Sequence, residues 1–312
     1  MRHLLSIADL DVDAIEEVMT LTDSFVEVGE RRIRKVPTLR GRTVVSLFYE
    51  ESTRTRLSFE TAAKRLSADV MTFSVGSSSV KKGESLRDTV QTIEAMGVDA
   101  IVVRHGSAGV PRQVANWVEA GGVRVINAGD GAHEHPTQAL LDCYTLRERL
   151  GPLRGTRIAI VGDVKHSRVA RSGVAAFTAL GANVTLVAPP TLLPESLEGW
   201  PVEVSHDLDA ELPKVDAVYL LRMQQERQTE ALVPSLREYT ASFGLTARRA
   251  DLMADGAVIL HPGPMNRGVE IAAEVAERPS SVITRQVANG VAVRMAVLFL
   301  LLAAEGGDVA DE

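Results

Sequence analysis

The 312-residue chain carries a formal net charge of −7, with 45% hydrophobic, 24% charged and only 4% aromatic residues. This length suits two domains, each with apolar surface enough for its own core. The acidic balance and the scarcity of aromatics argue against a nucleic-acid partner, so an anionic substrate needs a locally basic pocket. A single cysteine, Cys143, rules out an internal disulfide and any Cys-x-x-Cys pair, and a small core residue is its expected role. No metal site is expected. Residues 1–6 show no apolar leader, and the strongest apolar run, 295–304, is too short to span a bilayer, so a cytoplasmic protein without a membrane partner is expected.

Leu10, Ile15, Val18, Leu21 and Phe25 recur on one side and predict a capped helix over 6–29. A basic loop follows at 31–35, then an apolar strand at 43–49 and a helix after Ser52 with Phe59, Ala62, Ala63 and Leu66 on one face. Residues 69–75 read as a strand leading into a polar loop at 76–84. The next helix turns Leu86, Val90, Ile93 and Met96 inward and stops at Gly97. Strands at 100–103 and 123–127 flank a helix at 111–120, and a glycine-rich loop at 129–138 opens a helix running to about residue 150. The break Gly151-Pro152-Leu153-Arg154-Gly155 marks the domain boundary. The alternation then resumes with strands at 157–161, 183–188, 217–221 and 257–260. A helix is predicted over 167–180, and a long apolar one over 283–304 buried between neighbours. Residues 222–229 have no apolar face and read as a mobile loop, and 195–212 carry no functional signal. Strands alternating with helices imply parallel sheets flanked by helices.

Ser52-Thr53-Arg54-Thr55-Arg56 stands where a strand hands over to a helix. A helix start offers unpaired N–H groups and the positive end of the dipole; hydroxyls add donors, and arginine adds a fork matched to phosphate oxygens. The stretch reads as a seat for a dianionic phosphate. In open α/β sheets ligands bind beyond the carboxyl ends of strands. There this chain places Ser52–Arg56, then Ser78 and Lys82, then Arg104 and His105, then His135-Pro136-Thr137-Gln138. The second half places Lys165, His166 and Arg168, then Arg222 and Gln224, then His261-Pro262-Gly263-Pro264. Each has a plainer role when taken singly: a helix cap, a solvated lysine pair, a loop contact. Their joint placement at one edge of both expected sheets points to a site.

In this order, Ser52–Arg56, Lys81-Lys82-Gly83-Glu84, Val103-Arg104-His105, His135–Gln138, Arg168, Arg222-x-Gln224 and His261–Pro264 resemble the catalytic chains of the aspartate carbamoyltransferases, within the aspartate/ornithine carbamoyltransferase superfamily. The ornithine branch usually carries His-Cys-Leu-Pro where this chain has His261-Pro262-Gly263-Pro264. It also uses acidic and Ser-Met elements where this chain has arginines, and arginines suit the two carboxylates of aspartate rather than an ammonium. The resemblance implies an α/β fold of two domains, each a parallel sheet flanked by helices, the C-terminal helix returning to the first. Residues 1–150 with about 288–312 would bind carbamoyl phosphate, and residues 151–287 would bind aspartate.

The implied reaction is carbamoyl transfer from carbamoyl phosphate to the α-amine of L-aspartate, with no cofactor. Ser52, Thr53, Arg54 and Thr55 would hold the phosphate. Thr55, Arg104 and His135 would point donors at the carbonyl oxygen, and Gln138 would bind the carbamoyl amide. Gly263 and Pro264 would complete that site. Arg168, Arg222 and Gln224 would hold the aspartate carboxylates, and Lys82 would touch both substrates. Ser78 and Lys82 would reach in from a neighbouring subunit, making a homotrimer with shared active sites, and domain closure across 151–155 would accompany the second substrate. Val161-Gly162-Asp163 is not a dinucleotide fingerprint, and a P-loop is absent. The alternatives are a carbamoyltransferase for another amino acid or an inactive anion-binding homologue. A regulatory chain or a dihydroorotase partner is left open.

Overall fold

The structure, a computed structural model, describes residues 1–74, 83–224 and 232–303. Its contacts divide the chain into two units, Met1–Leu140 with Asn289–Glu312, and Leu141–Ala288.

In the first unit, β1 (Thr43–Phe48), β2 (Asp69–Ser74), β3 (Ala100–His105) and β4 (Arg124–Asp130) form a wholly parallel sheet in the order β2-β1-β3-β4. Both faces of such a sheet are covered, which is why its central strands read as unbroken apolar runs. On one face Val45, Leu47, Ile101, Val103 and Val125 share a core with Val90 and Ile93 of α3 (Leu86–Ala95) and Val114 of α4 (Val110–Trp117). α1 (Val12–Glu30) and α2 (Thr53–Arg65) meet the returning C-terminal helix α11 (Ile283–Leu302). Phe299 packs edge-on against Phe25, and Arg294 lies over the Phe59 ring.

Two expectations for this unit are corrected. The single helix over 6–29 is interrupted: Ser6 caps a short 3-10 turn at Ile7–Asp9, and Asp11 starts α1 afresh by accepting from Ala14 N at 2.8 Å. Met96 does not face inward but is 61% exposed. α3 ends at Ala95 and the chain turns at Gly97 with φ of 76°, so Met96 is the C-cap at the exposed end of the helix.

In the second unit, β5 (Arg157–Val161), β6 (Asn183–Val187), β7 (Val202–Ser205), β8 (Ala217–Leu220) and β9 (Val258–Leu260) form a parallel sheet in the order β7-β6-β5-β8-β9. β7 lies within 195–212, where the sequence shows no clear pattern; it is an edge strand whose central Glu203 and Val204 are exposed, so it lacks an apolar run. α5 (Pro136–Leu150) and α11 each cross from one unit to the other. Gly151, at φ 83°, marks the end of α5, whereas the contacts change hands ten residues earlier, at Leu140/Leu141. α11 is long and apolar enough to cross a membrane by length and composition, and 67% of its most apolar window is buried inside the protein.

Each sheet has one point where the strand order reverses. In the first unit the chain runs from β1 to β2 on one side and then places β3 on the other. In the second it runs β5-β6-β7 one way before β8 and β9 continue on the opposite side. Crossover connections depart in opposite directions there, leaving a crevice beyond the strands' carboxyl ends. The β1/β3 and β5/β8 junctions are therefore where each unit can receive a ligand.

Candidate functional site

At the β1/β3 junction the residues after β1 enter α2. Ser52, with extended backbone at φ −162°, caps the helix by accepting from Thr55 N at 3.4 Å. Thr53 and Arg54 stand exposed on the first turn, and Thr55 is buried. Arg54 makes no hydrogen bond or ion pair with any described residue, leaving its fork available above the unpaired N–H groups of the helix start. The second guanidinium of the stretch, Arg56, is directed along the helix instead, 3.8 Å from Glu60 one turn on.

Arg104, next to last in β3, is nearly buried, donating from Nη1 to the Ala128 carbonyl at 3.0 Å and from Nη2 to Glu50 Oε1 at 2.6 Å. It thereby ties the carboxyl ends of β1, β3 and β4 together. Glu50, which sequence reasoning missed, stands two residues beyond β1; an acidic residue after a strand carries no signal until its partner's strand is known to lie alongside. Beside it, burial holds the His105 imidazole below its usual range, the Glu50 charge only partly opposing this.

His135 is buried immediately before α5, and its carbonyl accepts from Gln138 N at 3.0 Å and Ala139 N at 3.3 Å. The loop that delivers it is fixed by two carboxylates with no signature in the sequence. Asp130 accepts from Asn127 Nδ2, Glu134 N and Gly109 N at 3.0, 3.0 and 2.8 Å. Glu134 accepts from Ser6 Oγ at 2.5 Å and Ile7 N at 3.0 Å, so the N-terminal segment anchors the approach to His135. Ser52, Thr53, Arg54, Thr55, Arg104, His135 and Gln138 thus all lie at the carboxyl edge of one sheet, on the contiguous strands β1, β3 and β4 or the helices that follow them. Ser78 and Lys82, and the 222–229 loop beyond Gln224, lie outside the described residues.

The second unit gathers its residues in the same way around β5/β8. Asp163, fully buried after β5, lies 2.8 Å from His166 Nδ1, and Ser167 caps α6 (Arg168–Ala179) by accepting from Ala170 N at 3.1 Å. Arg168 is therefore the first residue of a helix, nearly buried beside the crevice. Gln224, two residues beyond the half-buried Arg222, donates from Nε2 to the His166 carbonyl at 3.2 Å. Asn266 Nδ2 donates to the Met223 carbonyl at 3.3 Å. These bonds draw the carboxyl ends of β5, β8 and β9 together, and with them Arg168, Arg222, Gln224, Gly263 and Pro264.

The chemistry available is that of anion recognition. The first unit offers a helix start, hydroxyls and the Arg54 guanidinium, uncommitted among the described residues; the second offers the guanidiniums of Arg168 and Arg222 and the Gln224 amide at one junction. Among the described residues no group of three His, Cys, Asp or Glu side chains is arranged to hold a metal ion.

Comparison with known proteins matches residues 2–148 to the "Aspartate/ornithine carbamoyltransferase, carbamoyl-P binding domain" and residues 154–301 to the "Aspartate/ornithine carbamoyltransferase, Asp/Orn binding domain". The chain is 60% identical over 310 residues to the aspartate carbamoyltransferase catalytic subunit of Acidothermus cellulolyticus, covering 99% of this chain and 94% of the relative. Among solved structures, it is similar to aspartate transcarbamoylase from Trypanosoma cruzi in complex with N-(phosphonacetyl)-L-aspartic acid, with a TM-score of 0.88 at 31% identity, covering 97% of this chain and 96% of that one. It is also similar to the catalytic subunit of the M. jannaschii aspartate transcarbamoylase, with a TM-score of 0.84 at 36% identity, covering 99% of this chain and 100% of that one.

Proposed function

The chain belongs to the aspartate/ornithine carbamoyltransferase family, and on that premise we propose that it is an aspartate carbamoyltransferase, moving the carbamoyl group of carbamoyl phosphate to the α-amine of L-aspartate. The products are N-carbamoyl-L-aspartate and phosphate, in the de novo synthesis of pyrimidines. The observation that carries the choice of acceptor is the pair Arg168 and Arg222, one beyond β5 and one beyond β8 at the same junction. Two guanidiniums match the two carboxylates of aspartate, whereas the side-chain ammonium of ornithine would be repelled.

The α-amine, once neutral, attacks the carbamoyl carbon; a C–N bond forms, the C–O bond to phosphate breaks, and the amine proton passes to the departing phosphate. Ser52, Thr53, Arg54 and Thr55 hold the phosphate at the start of α2, where the dipole and N–H groups favour the charge that grows as it leaves. Thr55, Arg104 and His135 direct donors to the carbonyl oxygen, which becomes anionic as the amine adds. Gln138 holds the carbamoyl amide, Gly263 and Pro264 are assigned to carbamoyl phosphate by the family resemblance, and Arg168, Arg222 and Gln224 orient the acceptor. Catalysis then rests on positioning and charge stabilisation, without a covalent nucleophile. Ser78 and Lys82 come from a neighbouring subunit of a homotrimer, Lys82 touching both substrates; the family resemblance supports this part of the reading.

The test is a transfer assay on the purified chain with carbamoyl phosphate and either L-aspartate or L-ornithine, following the carbamoylated product and phosphate. Turnover with aspartate alone is expected. A preference for ornithine, or no transfer to either, would overturn the assignment.

A further inference from the structure

Glu270 lies almost wholly buried in the second unit and belongs to none of the groups placed on substrate. Its Oε1 accepts from the Asn266 N–H at 2.6 Å and stands 3.1 Å from His261 Nε2. The other ring nitrogen of His261, Nδ1, accepts from Gly263 N at 2.8 Å. An atom that accepts carries no proton, so the ring N–H lies on Nε2 and donates to Glu270. The backbone of His261 is held from the opposite side. Its N–H donates to Gln286 Oε1 at 2.9 Å, and Gln286 Nε2 in turn donates to Asp142, which also accepts from Tyr219 Oη, each at 2.7 Å.

Two segments assigned to substrates therefore hang on one carboxylate. The 261–264 turn is shaped by the Glu270–His261–Gly263 series. The 222–224 segment is held by Asn266, whose backbone N–H binds Glu270 and whose side chain holds the Met223 carbonyl, between Arg222 and Gln224. Buried bonds to a carboxylate are charge-assisted and strong, and removing the acceptor leaves its donors unpaired in a low-dielectric interior. The second oxygen, Oε2, and the Tyr239 hydroxyl are each buried without a hydrogen-bond partner among the described residues, so the carboxylate keeps capacity for a further donor. Burial, and after it the charges of Glu270 and Asp163, push the Tyr239 phenol far above its usual range and keep it protonated.

We propose that Glu270 is a positioning residue for the transfer, setting through His261 the turn that presents Gly263 and Pro264 and through Asn266 the segment that presents Arg222 and Gln224. The inference rests on the proposed reaction. It predicts a selective defect: Glu270→Ala loosens the acceptor site and the 261–264 turn but leaves the phosphate seat on α2 untouched.

The test measures kcat, the KM for aspartate and the inhibition constant of inorganic phosphate in wild type, Glu270→Ala, Glu270→Gln and Asn266→Ala, with folding checked by circular dichroism. Glu270→Ala is expected to raise the aspartate KM by about tenfold or more and to lower kcat, with phosphate inhibition within about twofold of wild type. Glu270→Gln keeps a carbonyl oxygen for the two donors and should recover most of the loss. Asn266→Ala should raise the aspartate KM, and combining it with Glu270→Ala should add little. If Glu270→Ala does not fold, Asn266→Ala, which removes only the bridge to Met223, decides. An unchanged aspartate KM in the folded variants overturns the inference, as does a loss of phosphate binding equal to that of aspartate. A wild type that carbamoylates no aspartate would instead sink the reaction on which the inference rests.

Discussion

Arg104 donates to Glu50 Oε1 at 2.6 Å, joining the carboxyl ends of β3 and β1 across the point where the strand order of the first sheet reverses. With the Ala128 carbonyl on its other arm, the guanidinium is oriented before any substrate arrives. Arg104→Ala removes a pre-oriented donor for the developing oxyanion, so kcat is expected to fall by about 10²–10³-fold. Glu50→Ala leaves the donor present but unguided and should lower kcat by a smaller factor. Steady-state kinetics on the folded variants checks this, and an Arg104→Ala enzyme with near-native kcat would remove Arg104 from the mechanism.

Arg54 is exposed at the start of α2, so Arg54→Ala should cost little stability and most of the activity. Lys82→Ala should behave alike. If Lys82 serves the site of a neighbouring subunit, mixed trimers of the two variants contain some sites with both wild-type residues. Refolding or exchanging the two together is expected to restore measurable turnover. Hybrids verified by mass that stay inactive would exclude a shared site.

Arg222 and Arg168 are assigned to the carboxylates of the acceptor. Removing one of a pair of charge-assisted contacts to a carboxylate costs about 1.5–3 kcal/mol, which corresponds to roughly ten- to hundredfold in the aspartate KM. Arg222→Met, which keeps the length of the side chain, should show that rise while phosphate inhibition stays put. An equal weakening of phosphate would point to general damage rather than to lost recognition.

The first unit also carries a pH signature. Burial depresses the folded-state pKa of His105 below 6.5, and burial followed by the charges of Arg2 and Arg124 does the same for His3, with Glu119 partly opposing. A depressed histidine binds fewer protons folded than unfolded. Its contribution to stability is therefore fully present above 6.5 and is lost as pH falls through the folded value. The melting temperature is expected to drop between about pH 7.5 and about pH 5, and to drop less in His105→Gln. An identical acid limb in that variant would show that His105 does not contribute.

Gly162, directly after β5, has φ of 119°, a backbone state that favours glycine, and a Cβ there would stand 2.7 Å from the Tyr239 hydroxyl and 3.3 Å from the Leu221 carbonyl. Gly162→Ala combines backbone strain with a clash in a packed region and should destabilise by about 1–3 kcal/mol. Chemical denaturation measures it. A neutral result would mean that Tyr239 moves aside at no cost.

Much of this organisation was legible along the chain. The central strands announced themselves as apolar runs because both of their faces are buried, and the Ser52 cap and the Gly97 stop marked helix ends. What escaped were elements whose burial is partial or brief. β7 lies at a sheet edge with exposed side chains, and α9 (Ala247–Ala250) and α10 (Ala273–Ala276) are single turns, too short to show a period. Met96 followed the helical spacing and still points to solvent, at the C-cap where α3 gives way to the turn at Gly97.

The sequence by itself determined which side chains stand at the strand ends, since the alternation of elements and the hydroxyl- and arginine-rich stretches are local properties. Only the tertiary structure decided which of them meet. Glu50 finds Arg104 because β1 lies beside β3, Gln224 finds His166 because β8 lies beside β5, and Asn266, held by Glu270, finds the Met223 carbonyl because β9 lies beside β8. Strand order arises from packing and crossover handedness over the whole sheet, and a buried carboxylate declares its role only when the donors it must satisfy have been brought around it.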